Sequence, residues 1–349
     1  MRRIERFHYR PLFVFGLFAL TACGGGSMNS AVPAATSAQS TARAAEQSQT
    51  RTPMDERGPK TDGEVVYNSI PSPLAPIPSQ GFECCQVKEF GDGVNLTETG
   101  RLDTVSIVMD SWGCQAGDGN VSTGPNACTT TPGSTFPVPI TLRVYAVCPG
   151  ASCAGGGPPN SHVGALLATQ TKTFAIPYRP SADPARCPAN GTFYSDVAAA
   201  GESPITNPHC THGLPTVITF DGVVPQAGAP KKLPLQTIFT VAFNTFSGGY
   251  APTGVHSGAD SLNVGAEGPG GPTGSAYDPH GAFINYSTAG AGNYCDGGTG
   301  GSNYLRLDTD ATNCWGPQAF FINGLHPQIQ VTVTNKNDND DKTKRRDND

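Results

Sequence analysis

Several short runs of the chain alternate apolar and polar residues with a period of two. Val105, Ile107 and Met109 alternate with Thr104, Ser106, Val108 and Asp110. Ile140, Leu142, Val144 and Ala146 alternate with Thr141, Arg143, Tyr145 and Val147. Phe239, Val241 and Phe243 repeat the pattern, as do Ile329, Val331 and Val333 against Gln328, Gln330, Thr332 and Thr334. Successive side chains of a strand point to opposite faces, so this period predicts half-buried strands. Shorter apolar runs at 216–220 and 319–322 are further strand candidates. No stretch keeps a 3.6-residue apolar period for three turns, and residues 195–200 are at most a short helix. About ten short strands separated by Gly/Pro-rich loops predict an all-β fold, a two-sheet antiparallel sandwich of jelly-roll-like form with long disulfide-clipped loops.

The same patterning divides the chain. Residues 64–334 carry the strand signals and form the predicted sandwich domain. Pro71, Pro73, Pro76 and Pro78 make its leading segment an extended, polyproline-like strip. Residues 23–63 are rich in Ala, Ser, Thr and Gln and hold no aromatic residue. They lack the material of a core, which predicts a disordered tether. A coil of about forty residues has a root-mean-square span of roughly 35 Å. From 335 to 349 a run of mixed charges reads as a solvated tail.

The first 22 residues have a different logic. Arg2, Arg3, Arg6 and Arg10 precede an apolar run from Leu12 to Leu20. As a helix that run rises only about 14 Å, far short of the roughly 30 Å hydrocarbon core, so it reads as a signal-peptide core and not as a span. Leu20-Thr21-Ala22-Cys23 then resembles the lipobox of bacterial lipoproteins. The resemblance implies cleavage before Cys23 and a diacylglyceryl group on its thiol, commonly with N-acylation. Two or more acyl chains give stable anchoring, where one gives only marginal binding. Gly24 in place of the aspartate that retains such proteins at the inner membrane implies the outer membrane or cell surface.

Composition narrows the class further. The formal net charge is −6, and removal of the basic leader leaves the mature chain more acidic still. An acidic chain with scattered lysines has no electrostatic footprint for nucleic acid. Charged residues are 14%, and Gly 43 and Pro 31 of 349 residues suit an exported, turn-rich β protein. Eleven cysteines less the lipidated one leave an even ten. In an exported protein that reads as a disulfide set. Spacing favours local pairs: Cys114 with Cys128, Cys148 with Cys153, Cys187 with Cys210, and Cys295 with Cys314. Cys84 and Cys85 remain, to pair with each other or elsewhere.

Motifs of chemistry are sparse. The chain has no Gly-x-Ser-x-Gly elbow, His-Glu-x-x-His, haem attachment motif, Walker loop or dinucleotide fingerprint. His209-Cys210-Thr211-His212 has the spacing of metal ligands, against a disulfide beside two loop histidines. Glu83, Glu89, Asp92 and Asp110 are candidates by type for paired-carboxylate glycoside chemistry, against a reading as exposed solubilising acids. Asp260 with Asn263, or Asp296 with Asp308, offers oxygens of the kind a structural Ca²⁺ takes. Trp112 and Trp315 each stand beside a cysteine, either covering its disulfide or stacking on a sugar ring. Residues 247–316 interleave Tyr250, Tyr277, Tyr286, Tyr294 and Tyr304 with glycine, Asn and Ser, a composition of adaptable recognition loops.

Several blocks look like a group of secreted bacterial proteins without an assigned function: Val66-Tyr67-Asn68, Ser79 to Glu83, Glu89 to Asp92, Asp110 to Cys114, Thr173 to Ser181, Asp260 to Gly265, and Tyr294 to Gly298. The group is carried on different surface anchors, so the resemblance implies a display module and supplies no catalytic residues. Two functions follow as expectations. One is a lipid-anchored, non-catalytic module binding glycan or a cell-surface protein through Trp112, Tyr250, Tyr286, Tyr304 or Trp315. The other is a lipid-anchored hydrolase or lyase acting on glycans.

Overall fold

In β5 (Thr135–Val147), Phe136, Val138, Ile140, Leu142 and Val144 are buried on one face while Thr135, Pro137 and Pro139 are exposed on the other. This is the alternation of the sequence made physical. The computed structural model describes residues 63–82, 86–148, 150, 157–158, 160–188, 191–199, 207–243, 262–267, 273–309 and 326–334. Around β5 one antiparallel sheet assembles. β10 (Gln236–Phe243) lies between β5 and β3 (Val87–Asn95), and β6 (Val163–Pro177) flanks β5 on its other side. β13 (Gly281–Tyr286) and β14 (Arg306–Thr309) continue the sheet beyond β3, and β12 (Ser275–Ala276) pairs with the end of β3.

The second sheet is built on β4 (Arg101–Ser111). β9 (Leu214–Asp221) runs along one side of it from Thr104 to Ser111. Along its other side two strands follow end to end. β16 (Ile329–Thr334) pairs with the stretch from Arg101 to Ile107, and β11 (Leu262–Glu267) with Met109 to Ser111. Gln328 sits at their fork, donating its N–H to Gly265 O at 3.1 Å and accepting from Val108 N at 3.0 Å. β1 (Glu64–Asn68) lies outside β16, while β2 (Ser79–Gly81) and β15 (His326–Pro327) pair with β11.

The inner faces meet in one core. Val105, Ile107, Met109, Phe220, Val264 and Val331 of the second sheet pack with Phe90, Leu142, Val144, Phe239, Val241 and Ile284 of the first. Each fully buried aliphatic or aromatic side chain contributes on the order of 1.5–3 kcal/mol. The chain crosses repeatedly between sheets, from β3 to β4 to β5 and from β6 to β9, β10, β11 and β13. The fold is therefore an antiparallel two-sheet β-sandwich with jelly-roll-like crossings. A second, smaller hairpin, β7 (Phe193–Tyr194) with β8 (Cys210–Thr211), stands apart from both sheets.

Three expectations need correction. The glycine-rich stretch 247–316 is not one set of loops: its described residues supply β11 to β14, in both sheets. Apolar pairs such as Leu262 with Val264 and Ala282 with Ile284 are buried there, and their signal was hidden by the surrounding glycines. Residues 195–199 form no helix. Val108, in the polar phase of β4, is buried because the proline strip covers the outer face of that sheet. Ala75 and Ile77 are buried in it, and a Cβ on Gly265 would fall 2.8 Å from Val108 and 2.9 Å from Ile77. The run 319–322 lies outside the described residues.

Candidate functional site

At the C-terminal end of β4 the chain turns from Asp110 and Ser111 into Trp112. Met109 points into the core, so Asp110 falls on the outer face of its sheet, opposite Pro215 of β9 and Asn263 of β11. There it is covered rather than exposed. The residue is 2% accessible, and a Cβ on Gly213 would come within 2.0–2.4 Å of its carboxyl. Only glycine lets the backbone pass so close. Trp112 Nε1 donates to Asp110 Oδ2 at 2.7 Å, while Oδ1 has no hydrogen-bond partner. Burial raises the Asp110 carboxyl from its ordinary 3.8 to about 6, against the opposing pull of Trp112, Ser79 and Arg179.

The indole that Asp110 holds is half-buried and stacks on the His212 imidazole, with ring centroids 5.3 Å apart and planes within 8°. His212 is fixed in turn. Its carbonyl accepts from Arg179 Nη1 at 2.8 Å. Arg179 is 0% exposed and reaches several segments at once: Nη2 donates to Gly119 O at 2.8 Å, Nε to Cys114 Sγ at 3.2 Å, and its backbone N–H to Gly113 O at 3.0 Å. Its guanidinium also lies over the Phe193 ring of β7. Disulfides clip the same region, Cys114 to Cys128 and Cys187 to Cys210. Both are among the local pairs that spacing favours. Cys148 and Cys295 are also disulfide-bonded.

The structure distributes the other candidates widely. Cys210 is oxidised, and His209 stacks on Tyr194 while His212 stacks on Trp112, so the His-Cys-Thr-His run does not converge on a cation. Among the described residues no group of three His, Cys, Asp or Glu side chains is arranged to hold a metal. Two of the calcium candidates, Asp296 and Asp308, turn their oxygens to N–H donors. Asp296 accepts from Gly298, Gly300 and Arg306, Asp308 from Cys295 N, and Asn263 donates to Ser79. Tyr286 is no recognition residue: it is 3% exposed, on the inner face of β13, edge-on to Tyr294 at 4.7 Å. Tyr304 is half-buried, with its hydroxyl donating to Gly300 O. Cys23, Glu83, Cys84, Cys85, Cys153, Tyr250, Asp260, Cys314 and Trp315 lie outside the described residues.

The reading of Glu89, Asp92 and Asp110 as exposed acids is also corrected, since each is 4% accessible or less. Glu89 is clamped by Arg143, Tyr145 and Thr240. Asp92 is sealed between the sheets, 3.1 Å from His326 Nδ1. Burial raises the Asp92 carboxyl; the His326 imidazole is pulled down by burial but raised on balance by the Asp92 charge. A glycosidase carboxyl must reach a sugar oxygen, and none of these three faces open space. A shallow polar groove of about 560 Å³ beside the Cys114–Cys128 loop is lined by Gln115, Ala116, Thr129, Thr130, Thr131 and Ser181. Its polar groups bond largely to one another, Thr130 N to Ser181 and Thr131 N to Gln115 among them. Trp112 was legible as an aromatic beside a cysteine, whereas nothing in the sequence marked Asp110 and Arg179 as buried. No protein-family model, no curated protein and no solved structure matches the chain.

Proposed function

We infer that the chain is an exported, lipid-anchored surface protein whose β-sandwich binds glycan without catalysis, through Trp112. One observation carries this reading: a half-buried indole is fixed both by a hydrogen bond at its N–H and by a stack on His212. A flat aromatic face complements the C–H face of a pyranose ring. Because Trp112 is held before any ligand arrives, little side-chain entropy is lost on binding. Asp110 serves as its support and not as an acid catalyst, since Gly213 closes the space in front of the carboxyl.

The direction of β4 supports display. Glu64 pairs with Val333, and Val333 with Leu102, so the N-terminal segment joins the sandwich where β4 begins. Trp112 follows its other end. Eleven residues of strand separate the two by about 33 Å. Trp112 thus stands at the end of β4 away from Glu64, where the sandwich begins.

The test is a glycan array probed with the mature protein and with Trp112→Ala at neutral pH. The expected result is a loss of about 30-fold in affinity for the bound glycan, the order typical of an aromatic anchor. Equal binding by the variant overturns the assignment. Release of reducing sugar that is abolished by Asp110→Asn favours the hydrolase instead.

A further inference from the structure

We propose that Asp110 is a proton-operated latch on the Trp112 platform, holding the indole when ionised and loosening it when protonated. The inference rests on reading Trp112 as the binding surface and adds its regulation. It begins from geometry. Asp110 is buried, its Oδ2 takes the indole N–H at 2.7 Å, and Gly213 packs against the carboxyl too closely for water to intervene. Few groups face it. Ser79 of β2, Pro215 of β9 and Asn263 of β11 are neutral, and the charged or titratable ones are Arg179 and His212.

In the ionised state the indole bond is charge-assisted, and such bonds are roughly twice as strong as neutral ones. The Ser79 hydroxyl also favours the carboxylate, and Ser79 Oγ accepts from Asn263 Nδ2 at 3.0 Å. A proton on Asp110 undoes both effects. The carboxyl becomes a donor in need of an acceptor, the Ser79 hydroxyl must reverse, and Trp112 keeps only a weakened bond. His212 acts in the opposite sense, because an imidazolium over the indole strengthens the stack through a cation–π interaction. The latch is therefore assigned to Asp110 and separable from His212 by substitution.

The carboxyl titrates at about 6, inside the range met outside a cell. If only the latched form binds, the apparent affinity follows the ionised fraction and falls about tenfold between pH 7.5 and pH 5.

The chain has two tryptophans, so full-length mature protein carrying Trp315→Phe reports Trp112 alone by fluorescence. Emission titrated from about pH 4.5 to 8 should show one step with its midpoint near the Asp110 value. Asp110→Asn should remove the step, His212→Gln should leave it, and Ser79→Ala should move it to higher pH. A step that survives in folded Asp110→Asn carrying His212→Gln overturns the latch, as does its absence from the parent. Should Asp110→Asn fail to fold, Ser79→Ala decides: an unmoved midpoint overturns the proposal. No ligand is needed, so the two readings fail separately. Glycan binding lost in Trp112→Ala without any pH step sinks the latch alone, and a pH step without glycan binding sinks the binding function alone.

Discussion

Asp110 shows what burial does to a single carboxyl. Its folded value, about 6, stands above the ordinary 3.8, so folding takes up a proton between those limits. The native state binds more protons than the unfolded chain in that window, and stability falls as pH rises through it. The group's favourable contribution is complete below about pH 4 and lost above about pH 6, a change of roughly 3 kcal/mol at 1.36 kcal/mol per unit. Urea denaturation at several pH values should therefore show Asp110→Asn losing this slope, with its stability relative to the parent rising from acid to neutral pH. An identical slope in both proteins contradicts the assignment. The Asp92 and His326 pair adds a slope of the same sign. Both folded values are raised, so its contribution is also greatest in acid and survives in Asp110→Asn.

Among the elements, the cap around Arg179 has the most at stake in one side chain. The loop before Gly119, the turn at His212, β7 and the end of β4 all meet its guanidinium or backbone. Arg179→Met keeps the bulk and deletes the charge, leaving Gly119 O and His212 O without that donor. Removing one partner from a buried charged network costs about 3–5 kcal/mol, and a fall of that order in the free energy of unfolding is expected. Legibility in the sequence varied by element for physical reasons. β5 and β16 were plain because every second residue is apolar and enters the core. β3 is hard to read because Gly91, Asp92 and Gly93 interrupt its apolar phase, Asp92 facing inward to His326. Tyr286 reads as a contact residue because its neighbours are glycine, Asn and Ser, although it fills the inner face of β13. The platform was half legible. Trp112 announces itself by type, but its supports are charged residues, which composition always reads as exposed.

At the scale of the whole molecule, the start of β1 and Trp112 lie at opposite ends of β4. Cys23→Ser is expected to release the protein from the membrane fraction or leave its leader uncleaved, as fractionation and mass spectrometry would report. Normal processing with full retention contradicts the lipid anchor. The pairing of β1 with β16, and of β16 with β4, also has a mechanical meaning. A load applied between Glu64 and Trp112 acts along β1 and β4, which run in the same direction. The hydrogen bonds from β1 to β16 lie across that pull, so they share the load and slide only together. Pulling Glu64 and Thr334 apart instead opens the same strands one pair at a time. Force spectroscopy with handles at residues 64 and 112 should accordingly need a higher rupture force than handles at 64 and 334. The strand order that holds the domain closed thus also sets how it bears a load along β4.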